Sequence, residues 1–271
     1  AAAGLKFVLG FYVAHVATRW WKIFSDIPWP DNIGLAMAAF LRTREQKFER
    51  DDRAERMTIM RYLVLSYVLV FRDISIKLRC RFPTYSHLLF SLSLSLSLSL
   101  ISLSSLSLSL RSHWIPIEWC LQLLRRCHER RQIADVHFTL LTNEILDYRS
   151  HLQSILTHDW VSVPLVYTHV VNIAANVYFF MCLFSRQYIF CDDNDDIRWQ
   201  VDYFVPFLTL IELTFLLGWL KLGQTMLNPF GNDDDDFDVD SLIERNLAVG
   251  MAMVDELYDH APPLSAAGLP H

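Results

Sequence analysis

Cysteine is sparse and poorly placed for its usual structural tasks. The five present, Cys80, Cys120, Cys127, Cys182 and Cys191, form no C-x-x-C pair and no short regular spacing, which argues against both a disulfide framework and a zinc site. Catalytic signatures are missing too. No G-x-S-x-G, H-E-x-x-H, P-loop or G-x-G-x-x-G occurs, so the chain carries no motif of an enzyme. The ten histidines are scattered. Only His15 and His169 are oddly placed, each within an apolar stretch, and packing explains each better than ligation. Charge is also scarce, at 20% of residues against 52% hydrophobic, with a net charge of −6, and no basic footprint for nucleic acid stands out. The chain opens without an initiator Met and without the layout of a signal peptide, so its N-terminus reads as a truncation.

Low charge with a positive mean hydropathy points to the membrane class. Leu5 to Ala17 is apolar, with Phe7 and Phe11 four apart, and Thr18-Arg-Trp-Trp-Lys22 follows where charge and indole mark an interface. About 13 apolar residues fall short of the roughly 20 a span needs, so residues 1–22 read as part of a transmembrane helix. Two prolines in Ile27-Pro-Trp-Pro-Asp31 break it. Residues 23–89 read as cytosolic helices: an amphipathic one near 33–41, a charged one near 43–62 and an apolar-striped one near 62–80, ended by Arg81-Phe-Pro-Thr84. Eleven Lys/Arg against six Asp/Glu between Arg42 and Arg81 place this block on the cytoplasmic side.

Residues 90–111 are nearly pure Ser-Leu alternation. Period 2 formally predicts a strand, but its length is far beyond the usual 3–10 residues, and the segment reads as a low-complexity insert. Helix signals return over Leu121–Arg131 and Asp135–Thr157, within a cytosolic block at 112–158. Residues 159–223 hold two spans, Asp159 to Phe184 and Tyr203 to Leu222, joined by an acidic loop at 191–198 suited to the outside. Glu212 lies near the middle of the second span, where an ionised carboxylate is costly and faces a cavity or a neighbouring helix. A protonated or hydrogen-bonded packing residue is the plain alternative.

Residues 224–271, read as a cytosolic segment with a C-terminal helix, begin with the densest charge of one sign, Asn228-Pro-Phe-Gly-Asn-Asp-Asp-Asp-Asp-Phe-Asp238. Four adjacent carboxylates repel one another unless a cation holds them, and calcium accepts a mixture of carboxylates and carbonyls in irregular geometry. On a helical turn Asp233 and Asp236 share a face while Asp234 and Asp235 point elsewhere. The D-x-D-x-D-G spacing of an EF-hand is lacking, and a solvated acidic turn is the plain alternative. An Mg²⁺-dependent prenyltransferase needs a second acidic motif facing the first. Here the other acidic cluster, Asp192 to Asp196, falls on the opposite side of the bilayer. Phe7 and Phe11, at i and i+4, would ordinarily be core; in a pore built from several copies they would instead form a dewetting constriction, with ring edges that favour an anion.

Eight ordered strings resemble the bestrophins: Phe-Val-Leu-Gly-Phe-Tyr12, Thr18-Arg-Trp-Trp21, Pro28-Trp-Pro-Asp31, Arg81-Phe-Pro83, Trp114-Ile-Pro116, Asp159-Trp-Val-Ser-Val-Pro-Leu-Val-Tyr-Thr168, Gly218-Trp-Leu-Lys221 and Asn228 to Phe237. The resemblance implies an all-α polytopic membrane protein that is no enzyme: a homopentameric, calcium-activated chloride channel of the plasma membrane, with four transmembrane helices per subunit. The first of these is lacking here, so residues 1–22 correspond to the second, pore-lining one. It implies a neck at Ala3, Phe7 and Phe11, a cytosolic aperture at Val136, and a calcium clasp of the Thr225 and Asn228 carbonyls with the Asp233 and Asp236 carboxylates. Chloride is the permeant ion, with the lipid bilayer and further copies of the chain as partners and nucleic acid excluded. The sequence departs from the family at Ala3, where a larger aliphatic residue is usual, at Glu212, where an uncharged polar one is, and at the Ser-Leu segment. The reading kept from another class is a non-conducting calcium-binding regulatory or scaffold subunit, or a non-functional truncated product.

Overall fold

The computed structural model describes residues 2–41, 48–84, 113–185 and 207–260. The Ser-Leu insert, the acidic loop at 191–198 and the last eleven residues lie outside them. Among the described residues all regular structure is helical: α1 Ala2–Ser25, α2 Asp31–Phe40, α3 Glu49–Ile74, α4 Ile76–Arg81, α5 Trp114–Glu129, α6 Asp135–Trp160, α7 Leu165–Ser185, α8 Phe207–Thr225 and α9 Val239–Val254. They fall into two compact units, one of residues 1–25, 161–229 and 234–236, the other of residues 26–160, 230–233 and 237–271.

The first unit packs α1, α7 and α8 on one another. Its core is Leu5, Leu9, Tyr12, Val13 and Val16 of α1, Val171 and Ala175 of α7, and Leu216 and Leu220 of α8. The α1 positions recur at the helical period, so one stripe of that helix is consumed by its neighbours. Small residues set the approach: Gly223 of α8 lies where a Cβ would come 2.9 Å from the Tyr12 ring, and Gly10 faces the Trp219 indole. Close backbone approach at small residues is how helices associate when the surroundings are as apolar as the side chains.

Among the described residues α7 and α8 are the two helices long and apolar enough to cross a membrane. The first span is shorter than the sequence implied. α6 runs through Trp160, a break at 161–164 containing Pro164 follows, and α7 begins at Leu165. Its 21 residues still reach about 31 Å, close to the hydrocarbon thickness. α1 continues to Ser25 rather than ending at Lys22, and Lys6, Arg19 and Lys22 lie along its 24 residues.

The second unit is organised on α3, which contacts α4, α5, α6 and α9. The sequence suggested separate helices meeting near residue 62; the structure has one, Glu49–Ile74. Arg61 and Tyr62 supply no Pro or Gly to break it, so the switch from charged to apolar marks a change in burial, not in backbone. From Ile59 to Phe71 nearly every side chain is buried, the signature of a helix apolar all round. Glu49, Asp51 and Asp52 at its start and Arg72 at its end complement its dipole. α5 begins at Trp114, well before Leu121, because Pro116 falls in the first turn, where no helical N–H partner is lost.

Candidate functional site

α1 has two faces. Leu5, Leu9, Tyr12, Val13 and Val16 are buried, whereas Phe7 and Phe11 are 76% and 64% exposed. Packing within the chain was the ordinary expectation for two phenylalanines at i and i+4, and the structure overturns it. The core stripe is already filled by other residues, and Phe7 and Phe11 stand on the opposite side of the helix. Ala3 shares that exposed side, as do Ala14, His15 and Thr18. His15 is likewise exposed and meets the Tyr167 ring edge-on at 6.4 Å between centroids, so packing does not enclose it.

Behind this face a charged cluster ties the three helices together. Glu212 of α8 accepts a hydrogen bond from the Tyr178 hydroxyl of α7 at 3.2 Å and pairs with the Lys6 ammonium of α1 at 3.1 Å. Its side chain is only 17% exposed, that of Lys6 53%. The carboxylate's cost is met by a cation and a hydroxyl from its two partner helices, and with Lys6 it lines a cavity along α8, so Glu212 faces its neighbours as an ionised carboxylate within a span must. Sequence reasoning missed Lys6 and Tyr178. The signal was present in a lone lysine inside one apolar run and a lone glutamate inside another.

Of the proposed clasp, Thr225, Asn228 and Asp236 belong to the first unit and Asp233 to the second. Thr225 ends α8, and its hydroxyl donates to Lys221 O at 2.7 Å. The backbone hydrogen bonds of the following turn end on Leu222 O and Gln224 O, at 3.1 and 3.3 Å. A helix C-terminus leaves its last carbonyls without helical donors, and among the described residues none of these turn bonds goes to Thr225 O or Asn228 O. Asp233, Asp234 and Asp235 are exposed and Asp236 is half-buried, so Asp236 is set apart from its two predecessors. No group of three or more His, Cys, Asp or Glu among the described residues could hold a metal by side chains alone. Carboxylates supplemented by carbonyls form an all-oxygen donor set of the kind calcium takes.

In the second unit the ends of the acidic run are anchored. Phe230 is buried and packs edge-on against Phe71 of α3 and against Phe237, with centroids 5.4 and 5.7 Å apart. Downstream, Arg81 of α4 reaches Asp240 and Glu244 of α9 at 2.8 Å each, and Lys77 lies 3.6 Å from Asp238 and 3.5 Å from Asp240. The Ser241 hydroxyl, then Lys77, holds the Asp238 carboxyl below its ordinary range. Sequence reasoning took Arg81 as a helix stop and missed its acidic partners.

Val136, the expected aperture residue, is the second residue of α6 and 69% exposed. The turn before it is fixed from beneath. Arg131 adopts a positive φ of 59°, and Gln132 donates from its backbone to Cys127 O at 3.0 Å and from its side chain to the buried Asp52 carboxylate of α3 at 2.6 Å. Arg130 pairs with Glu55 one turn along α3. Burial, with the neighbouring Glu55 next, pushes the Cys127 thiol up to about 12, so it is unreactive at neutral pH. These contacts set the starting point of α6, and Val136 projects from it.

The chain matches the family described as Bestrophin, RFP-TM, chloride channel over residues 1–256. It belongs to the bestrophin family. Bestrophin homolog 5 of Caenorhabditis elegans is 39% identical over 261 residues, covering 95% of this chain and 56% of the relative. Human Bestrophin-3 is 35% identical over 262 residues, covering 96% of this chain and 38% of the relative. The chain thus spans about half the length of the curated relatives it matches. A crystal structure of a bacterial bestrophin homologue from Klebsiella pneumoniae superposes with a TM-score of 0.68 at 14% identity, covering 93% of this chain and 84% of the other, which shows a shared fold. The all-helical reading and membership of a chloride channel family therefore hold.

Proposed function

We propose that this bestrophin is the subunit of a calcium-activated chloride channel, a homopentamer in the plasma membrane whose α1 helices surround one passive anion pathway. The observation that carries the reading is the two-faced α1: one stripe is committed to α7 and α8 while Phe7 and Phe11 are left bare. Five copies turned inward give these two large aromatics, held outward from a fixed helix, a role. Their rings form a narrow apolar neck that gates by dewetting, with edges of positive character toward a passing anion. Ala3 widens the neck's outer end, and Val136 forms a second, cytosolic constriction.

The residues present suit calcium at the acidic run. The Thr225 and Asn228 carbonyls and the Asp233 and Asp236 carboxylates would hold the ion, and its charge offsets the mutual repulsion of the aspartates. Phe230 and Phe237 pin the run's flanks in the second unit, and Thr225 closes the helix that packs against α1 in the first, so a change at the run has a covalent route to α8. A ligand that favours one arrangement of this segment biases the neck by its differential affinity.

The test is anion current from the expressed full-length gene product at micromolar calcium. A calcium-dependent chloride current supports the reading; a flat recording with the protein confirmed at the cell surface favours a non-conducting calcium-binding subunit.

A further inference from the structure

Phe7, Phe11 and His15 stand at i, i+4 and i+8 on α1. At about 100° per residue, Phe7, Phe11, His15, Thr18 and Lys22 all fall within an arc of about 80°, and all five are exposed. Moving from the N-terminal end of α1, this face therefore changes from aromatic to titratable to cationic. No Asp or Glu occurs anywhere in α1 or α7. Resting on the channel reading above, we propose that His15 is a charge-determining position of the anion pathway: its imidazoles form a ring about 6 Å below the Phe11 ring, and their protonation draws chloride toward the neck and raises conductance.

The surroundings favour this role. On α1 the nearest charged groups are Arg19 and Lys22, both cationic. On α7, Tyr167 meets the His15 ring edge-on, leaving the rest of that exposed ring to solvent, and the helix's other titratable groups are His169, Tyr178 and Cys182. On α8 they are Glu212 and Lys221. Glu212 is engaged by Lys6 and Tyr178, and Lys6 stands nine residues, about 13 Å along the helix, from His15. Among the described residues the unit's remaining acids, Asp234 to Asp236, lie in the acidic run, and no acid of α1 or α7 pairs with the imidazole. Histidine is the side chain that gains charge between pH 5 and 8, and a ring of like charge at a narrow mouth raises the local concentration of its counter-ion.

The experiment is macroscopic and single-channel chloride current in inside-out patches of the full-length protein at saturating calcium, with the cytosolic bath stepped from about pH 8 to about pH 6. The native channel is expected to gain about twofold or more in conductance on acidification. His15→Leu should lose that gain, and His15→Lys should be high at both pH values. His15→Cys in a Cys80→Ser background supplies a second readout at constant pH, because a cationic thiol reagent should raise current and an anionic one lower it. A pH response unchanged in His15→Leu, or a modified His15→Cys channel indifferent to the sign of the added charge, overturns the proposal while leaving the channel reading intact. Absence of calcium-dependent chloride current at every pH overturns the channel reading and this inference with it.

Discussion

Gly223 illustrates how little room single residues leave in the membrane unit. A Cβ there would meet the Tyr12 ring at 2.9 Å and Val13 at 3.2 Å. The buried aromatic ring cannot swing aside as the end of a flexible chain can. Gly223→Ala should destabilise the α1–α8 contact by about 1–3 kcal/mol, read as a lower thermal midpoint of the detergent-solubilised protein; an unchanged midpoint would mean the helices are not packed this closely. Gly250, whose added Cβ would first meet the flexible Met60 side chain, is the milder comparison. At the acidic run, Asp233→Ala and Asp236→Ala should each move calcium activation to higher concentration, with Asp234→Ala moving it less. A calcium dose response identical to the native one in both would remove the clasp assignment.

Helix ends and pairings are where sequence and structure agree least. α2, α6 and the stop after Arg81 follow from signals visible in the chain: Pro30 before α2, Asp135 opening α6, and Phe-Pro after α4. The α3 boundary was misplaced because a change of hydrophobicity was taken for a change of element. The proposed neck positions rest on family resemblance alone, since i, i+4 phenylalanines ordinarily read as core. Tertiary partners were barely legible: lone charges in two apolar runs hinted at Lys6 with Glu212, but nothing local marks Arg81 with Asp240 and Glu244 or Gln132 with Asp52, each far apart in sequence. Two consequences follow for these elements. Removing one partner of the Lys6–Glu212 pair should destabilise the membrane unit, and Lys6→Met with Glu212→Gln together should recover part of the loss, because the single change strands a part-buried charge; strictly additive losses in thermal melts would contradict this. In the second unit, hydrogen bonding from Arg53 depresses the Asp255 carboxyl, as Ser241 depresses Asp238. A depressed carboxylate contributes stability above its unfolded pKa of about 4 and loses it as pH falls through the folded value. Asp238→Asn and Asp255→Asn should therefore flatten the decline in stability below about pH 4 while leaving its shape near neutrality unchanged.

At the scale of the whole molecule the family fold accounts for two units with different chemistry. One is three helices with small-residue contacts and bare apolar outer faces; the other is a cluster built on the buried Ile59–Phe71 stretch of α3 and edged with ion pairs. Outward phenylalanines also stand on α7 and α8, where lipid can cover them, so what sets Phe7 and Phe11 apart is the proposed pore, and the account stands or falls on conduction along α1. The decisive measurement is chloride current from the full-length protein purified and reconstituted in planar bilayers, native against Phe7→Ala with Phe11→Ala. The account predicts a calcium-dependent anion current in the native protein, and current that persists when calcium is removed in the double variant. Native protein shown to be inserted yet passing no chloride with calcium present, or a double variant whose calcium dependence matches the native one, would contradict it.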